Sequence, residues 1–181
     1  MKTNYSLIKI IDKNIINQKV TELASRINND FSKSDKLLFI GVLKGAWIFL
    51  ADIVRCVNLP LEISFIAVSS YRNETESAGI VRLLWDVDVP LEGRDVFLVE
   101  DIIDTGLTLS HLKKLFTVRN PRSINICCLL DKPSRRMVDL TADYVGFIIP
   151  DDFVVGYGLD YQGRFRNLSD LYKVHFKHQE E

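Results

Sequence analysis

The chain has 181 residues, 47% of them apolar and 26% charged, which fits one globular domain with a real core. Its 23 Lys and Arg against 24 Asp and Glu leave a formal charge of −1, so no overall basic field exists to hold nucleic acid. No stretch is apolar enough to span a bilayer, and the N-terminal "MKTNYSLIKIIDKNIINQKV" lacks the unbroken apolar run of a secretory signal.

In chain order, Ile16, Val20, Leu23, Ile27 and Phe31 recur at helical spacing and predict an amphipathic helix over 15–31. "KLLFIGVL" (36–43) holds a short continuous apolar run, as in a strand buried on both faces. "GAWIFLADIVRCV" (45–57) predicts a helix and "LEISFIAVSS" (61–70) a strand. "IVRLLWDVDV" (80–89) follows the polar "SSYRNETESAG" with no helix between, so the pair predicts a hairpin-like excursion closed by a long loop. "RDVFLVED" (94–101) is a strand, "LSHLKKLFTVRN" (109–120) a helix, and "SINICCLL" (123–130) and "ADYVGFII" (142–149) are strands. Beyond Pro150, "DDFVVGYGLDYQGRFRN" has no clean period and reads as a wall over the sheet rather than a sheet element. Strands alternating with helices imply βαβ units, hence an α/β fold with a mostly parallel sheet covered on both faces. No linker or repeat divides the chain, and one domain spans 1–181. Cys56, Cys127 and Cys128 make neither a disulfide framework nor a zinc set. They read as small buried hydrophobes in a reducing, cytoplasmic compartment.

The strand "VFLVED" breaks its own apolar pattern. It ends on Glu100 and Asp101, and Asp104 follows in "IIDTGLTLS". In a parallel α/β sheet, ligands sit at the carboxyl ends of strands. Gly106 permits close backbone approach, and Thr105, Thr108 and the free amides of the next helix can cradle a phosphate. A phosphate site beside a carboxylate pair suits phosphoribose, whose diol would donate to the carboxylates. The plain alternative is an Asp N-cap at Asp104 with two surface carboxylates at a strand end, which leaves the Glu100–Asp101 pair unexplained.

"VFLVEDIIDTGLTL" resembles the phosphoribosyl-diphosphate motif of the type I phosphoribosyltransferases. "GVLKGAWIFLADI", "AVSSYRNETESAG", "LLDKPSRR" and "IPDDFVVGYGLDYQGRFRNL" narrow the resemblance to the bacterial hypoxanthine-guanine phosphoribosyltransferases. The resemblance covers about Leu38 to Leu168 and implies that family's fold: a mostly parallel central sheet flanked by helices, with a small hood from the terminal segments. It implies Mg²⁺-dependent transfer of 5-phosphoribose from phosphoribosyl diphosphate to N9 of hypoxanthine or guanine, giving IMP or GMP and pyrophosphate.

Carried over residue by residue, Glu100 and Asp101 would hold the ribose hydroxyls and a shared Mg²⁺, their charge suiting a cationic ribosyl transition state. Asp104 would be the general base at purine N7. Asp104, Thr105, Gly106, Leu107, Thr108 and Leu109 would wrap the 5′-phosphate. Some relatives carry a lysine at Leu107, so phosphate binding here would lean on dipoles. Lys44 and Gly45, after a peptide that is often cis in the family, would bind pyrophosphate with Arg166. Asp160 would place a second Mg²⁺ through water. Lys132 would donate to the purine 6-oxygen, Phe153 would stack on the ring, and Val154 would read the 2-position through its backbone. By composition alone, Lys132 reads as an exposed lysine and "FVV" as core. Ser70 and Tyr71 would carry lid contacts in a flexible loop over 70–82, and 150–170 would form the purine-binding hood. Family members are homodimers or homotetramers, and Trp47 on the second helix is an interface candidate. Neither nucleic acid nor a membrane is an expected partner. A non-catalytic regulator on the same fold is the alternative, and it would not need Asp104, Lys132 and Arg166 together.

Overall fold

The structure, a computed structural model, describes residues 5–71 and 80–176; the side chains of Ser70, Tyr71, Ile80 and Val81 fall outside that description. The body of the expected loop over 70–82, and the lid contacts expected of Ser70 and Tyr71, therefore lie outside the described residues.

Six strands form the main sheet in the order β4-β3-β2-β5-β6-β7: β2 (Leu37–Leu43), β3 (Leu61–Tyr71), β4 (Ile80–Trp85), β5 (Asp95–Ile103), β6 (Ser123–Asp131) and β7 (Tyr144–Ile148). All pairings are parallel except β3 with β4, the predicted hairpin-like excursion. The apolar runs alternate between two cores, which is why they show no period-2 polarity. Phe39, Phe97, Val99 and Cys127 point to one face, where α1 (Lys13–Asp30) and α2 (Trp47–Cys56) pack with Ile16, Val20, Phe49 and Ile53. Leu38, Ile40, Val96, Leu98 and Cys128 point to the other, under Leu109, Leu112 and Phe116 of α3 (Leu107–Thr117). Phe39 stacks on Phe97 at 4.6 Å near the middle of the first core.

A second sheet, of three strands, joins the ends of the described chain. β1 (Tyr5–Ile11) pairs antiparallel with β9 (Leu171–Phe176), and β9 with β8 (Val154–Val155). The segment after Pro150 thus does hold a sheet element, contrary to the sequence reading. Two residues are too few to show a period, and their partner strand comes later in the chain. The small sheet is fixed to α1 by Asp170, which accepts from the Lys13 amide at 2.8 Å and pairs with Lys9 at 2.8 Å.

Candidate active site

The carboxyl ends of the parallel strands converge on one cleft of about 210 Å³, lined by Leu43, Val68, Glu100, Asp104, Thr105 and Thr108 among others. β5 carries Glu100 into the lining of this cleft and Asp101 against Gly45 beside it; the two are 8% and 9% exposed. They are not the surface carboxylates of the plain alternative. Burial pushes the Glu100 carboxyl well above its ordinary range, and the Asp101 charge adds to the push. Asp101 is raised as well, by burial first, although its carboxylate accepts from the Ile102 amide at 2.8 Å. Among the described residues neither carboxylate has an ion-pair partner.

Gly45 explains how Asp101 fits. A Cβ at position 45 would lie 1.6 Å from Asp101 Oδ2, so only glycine lets the β2–α2 turn rest on the carboxylate. The Leu43–Lys44 peptide is cis, as the resemblance implies, and Lys44 is exposed. The carbonyl of Gly45 in turn meets Gly158, where a Cβ would come within 2.1 Å. Arg166 donates to the Gly158 carbonyl at 2.6 Å and pairs with Asp160 at 2.5 Å. The expected pyrophosphate residues Gly45 and Arg166 thus belong to one packed column that begins at Asp101.

α3 begins at Leu107 behind Gly106, whose φ of 80° makes it the N-cap, and the Leu107 amide donates to Thr105 Oγ1 at 3.4 Å. The helix cap is therefore Gly106 and not Asp104, as the plain alternative required. The amides of the first turn, with Thr105 and Thr108 at the cleft, remain aimed at whatever anion the turn receives. Leu107 and Leu109 lie in that first turn, Leu109 buried.

Asp104 instead accepts from Arg135 Nε at 3.1 Å. Its backbone carbonyl accepts from Arg136 Nη1 at 2.7 Å, and the same guanidinium pairs with Asp131 at the end of β6. Arg136 also packs against Gly106, where a Cβ would lie 2.9 Å from its Cδ. Lys132 is only 6% exposed, not the exposed lysine that composition suggests, and its Nζ lies 3.5 Å from Asp151. Arg136, Asp131, Arg135 and Asp151 were missed from sequence. The available signal was the dense alternation of charge in "DKPSRR" and the acidic "DD" that opens the hood segment.

Phe153 is 47% exposed and meets Tyr161 edge to face at 5.6 Å, while Val154 is buried in β8. One residue of "FVV" faces outward and the others are core. Asp160 does not join Glu100 and Asp101: among the described residues no three acidic, His or Cys side chains gather as a metal cage. The donor set of the paired carboxylates is nevertheless all oxygen, the kind a hard cation takes, and Mg²⁺ needs only one or two protein ligands when it keeps water and phosphate.

The fold and this carboxylate turn define the class, and the family model described as a phosphoribosyl transferase domain matches residues 8–162. The chain belongs to that family. It is 50% identical over 159 residues to the hypoxanthine-guanine phosphoribosyltransferase of Bacillus subtilis, with 88% of each chain covered. It is 45% identical over 167 residues to the hypoxanthine phosphoribosyltransferase of Haemophilus influenzae, covering 91% of this chain and 93% of that one. A crystal structure of a hypoxanthine-guanine phosphoribosyltransferase from Bacillus anthracis superposes with a TM-score of 0.88 at 46% identity, covering 94% of this chain and 99% of that one. Within the family the chain falls in this branch: it is a glycosyltransferase of the purine-salvage type.

Proposed function

We propose that this chain transfers 5-phosphoribose from phosphoribosyl diphosphate to N9 of hypoxanthine or guanine. The observation that carries the site reading is the buried Glu100–Asp101 pair, held by its own fold at raised pKa near a helix N-terminus that opens on Gly106. Such a pair calls for an incoming cation and diol. Glu100 and Asp101 would hold the ribose hydroxyls and one Mg²⁺, and Asp160 would serve a second. When bound, Mg²⁺ neutralises the diphosphate charge and makes pyrophosphate a better leaving group. The amides and hydroxyls of 104–109 hold the 5′-phosphate, and Lys44, Gly45 and Arg166 hold the pyrophosphate.

As the C1′–O bond to pyrophosphate breaks, its electron pair leaves with pyrophosphate and cationic character grows on the ribosyl carbon. The negative pair below favours that charge. N9 forms the new bond while Asp104 takes the proton from N7. Lys132 donates to O6, which selects 6-oxo over 6-amino rings because adenine presents a donor there. Phe153 stacks on the ring, Val154 reads the 2-position, and the loop of Ser70 and Tyr71 closes to exclude water.

The active unit is a homodimer or homotetramer. Trp47, Phe65 and Trp85 are 48%, 42% and 65% exposed, and Phe65 and Trp85 share the α2 face of the sheet because Trp85 pairs with Ala67. An apolar patch of this kind marks an association surface. The protein works in the cytoplasm, a reducing setting that suits Cys56, Cys127 and Cys128, none of them in a disulfide. Among the described residues no helix is long and apolar enough to cross a membrane.

Steady-state turnover with each purine, Mg²⁺ and phosphoribosyl diphosphate tests the reading. Hypoxanthine and guanine are converted and adenine is not, and Asp104→Asn lowers kcat by about 10²–10⁴, the usual worth of a general base. Turnover of adenine, or an unimpaired Asp104→Asn enzyme, contradicts it.

A further inference from the structure

The two side chains assigned to the purine edge, Asp104 and Lys132, are joined by an unbroken chain of charge. Arg135 Nε donates to Asp104 Oδ1 at 3.1 Å. Arg135 Nη1 lies 3.6 Å from Asp151 Oδ2, and Asp151 Oδ1 lies 3.5 Å from Lys132 Nζ. The order is anion, cation, anion, cation, running from the base to the reader of O6.

The sense of these contacts is informative. The N7–C6 edge of a 6-oxopurine offers Asp104 an N–H and offers Lys132 an oxygen. Arg135 offers Asp104 an N–H, and Asp151 offers Lys132 an oxygen. We infer that Arg135 and Asp151 form an internal stand-in for the purine edge, satisfying Asp104 and Lys132 until a base displaces them. The inference rests on the roles given to Asp104 and Lys132 above.

The backbone around this chain is pinned, so the exchange needs only side-chain motion. Lys132 N–H donates to Ile103 O at 2.9 Å and Arg135 N–H to Lys132 O at 3.0 Å, closing the tight turn Pro133–Arg135. Arg136 holds Asp104 from the other side through its carbonyl and through Asp131. By contrast the side chains of Arg135 and Asp151 are 45% and 53% exposed and have room to swing out together, still paired with each other, leaving Asp104 in place for the base. Lys132, 8% exposed in its side chain, stays in place and accepts the exchange of oxygen partners.

The stand-in keeps two charges of the site partnered, and every incoming purine must break the same two contacts. Arg135 and Asp151 are therefore positioning residues that compete with the base and do not touch it. Removing the competitor changes only the free site, so it tightens purine binding and leaves the chemical step alone.

The test is the kinetics of Arg135→Gln and Asp151→Asn with hypoxanthine, at saturating Mg²⁺ and phosphoribosyl diphosphate. The KM for hypoxanthine falls roughly two- to five-fold in each, the range an exposed charge pair is worth, with kcat unchanged. Arg135→Lys and Asp151→Glu, which keep the charge chain, stay close to wild type, and the Arg135→Gln/Asp151→Asn double variant shows less than the product of the single effects. An unchanged or raised KM, or a lower kcat, overturns the inference while leaving the base and reader roles standing. An unimpaired Asp104→Asn enzyme instead overturns those roles, and the inference with them.

Discussion

Strand β5 carries a buried carboxylate at each end, and the fold treats the two ends in opposite ways. At its start, Asp95 is 6% exposed and fully partnered: it accepts from Arg122 Nε at 3.0 Å, Ser123 Oγ at 2.9 Å and Ser34 Oγ at 2.5 Å. Burial works to raise its pKa, but Arg122, Ser34 and Ser123 outweigh it and hold the carboxyl below its ordinary value. At the other end Glu100 and Asp101 are as deeply buried, lie against each other, and are both raised. A carboxylate kept for structure is given its partners by the chain itself. One kept for function is left for the ligand to complete, and the fold carries the cost in the meantime.

The largest effect that sharpens this contrast is Asp101→Asn. Turnover falls by about 10²–10³, the loss expected when one preorganised electrostatic contact is removed. The free protein is nevertheless stabilised, with a Tm higher by about 2–4 °C, as roughly 1 kcal/mol gives at this size. Gly45→Ala reaches the same end sterically: its Cβ would meet Asp101 Oδ2 at 1.6 Å, and activity falls by about 10², as when a site is displaced by an ångström. At the opposite end Asp95→Asn reverses the pattern. Specific activity holds, while Tm drops by about 4–8 °C, some 2 kcal/mol for a buried and hydrogen-bonded charge pair whose arginine is half exposed. A melting curve and one activity assay on each variant check all three.

The smallest effect is in the pH dependence, where the two ends carry opposite signs. The folded pKa of Asp95 lies below its unfolded value, so its stabilisation is present above the unfolded pKa and lost as pH falls through the folded one. The Tm deficit of Asp95→Asn is therefore greatest near neutrality and shrinks toward pH 3. The folded pKa of Glu100 lies above its unfolded value, so ionisation opposes folding once pH rises past the unfolded pKa of about 4.3, and the penalty grows until the folded pKa is reached. Glu100→Gln accordingly gains Tm at pH 7 and gains little at pH 4. A gain at pH 4 as large as at pH 7 would remove Glu100 from the comparison.

How far this was legible in the sequence follows from the range of each interaction. The first helix announced itself through local periodicity, the second through its length and apolar content, and the parallel strands through continuous apolar runs. The small sheet did not, because Tyr5 finds Phe176 at the far end of the described chain and β8 has only two residues. Glu100 and Asp101 stood out because two charges spoil an apolar strand, a signal contained within six residues. The cis Leu43–Lys44 peptide was legible only through resemblance, since nothing in "VLKG" marks it. The pairings Asp104–Arg135 and Lys132–Asp151 span separations of 31 and 19 residues, and composition offers no rule for choosing among so many charges. Asp160 pairs with Arg166, a partner visible only once the hood is folded.

The measurement that bears most directly on the central claim is the melting temperature of the free protein with Mg²⁺ and phosphoribosyl diphosphate added together at pH 7, for wild type and for Asp101→Asn. At about 100 times Kd the pair of ligands adds roughly 2.7 kcal/mol and raises the wild-type Tm by about 5–11 °C, and it shifts the variant far less. An equal shift in both proteins, or none in wild type, would contradict the claim that the buried carboxylates of β5 are held in readiness for a metal-bound sugar phosphate.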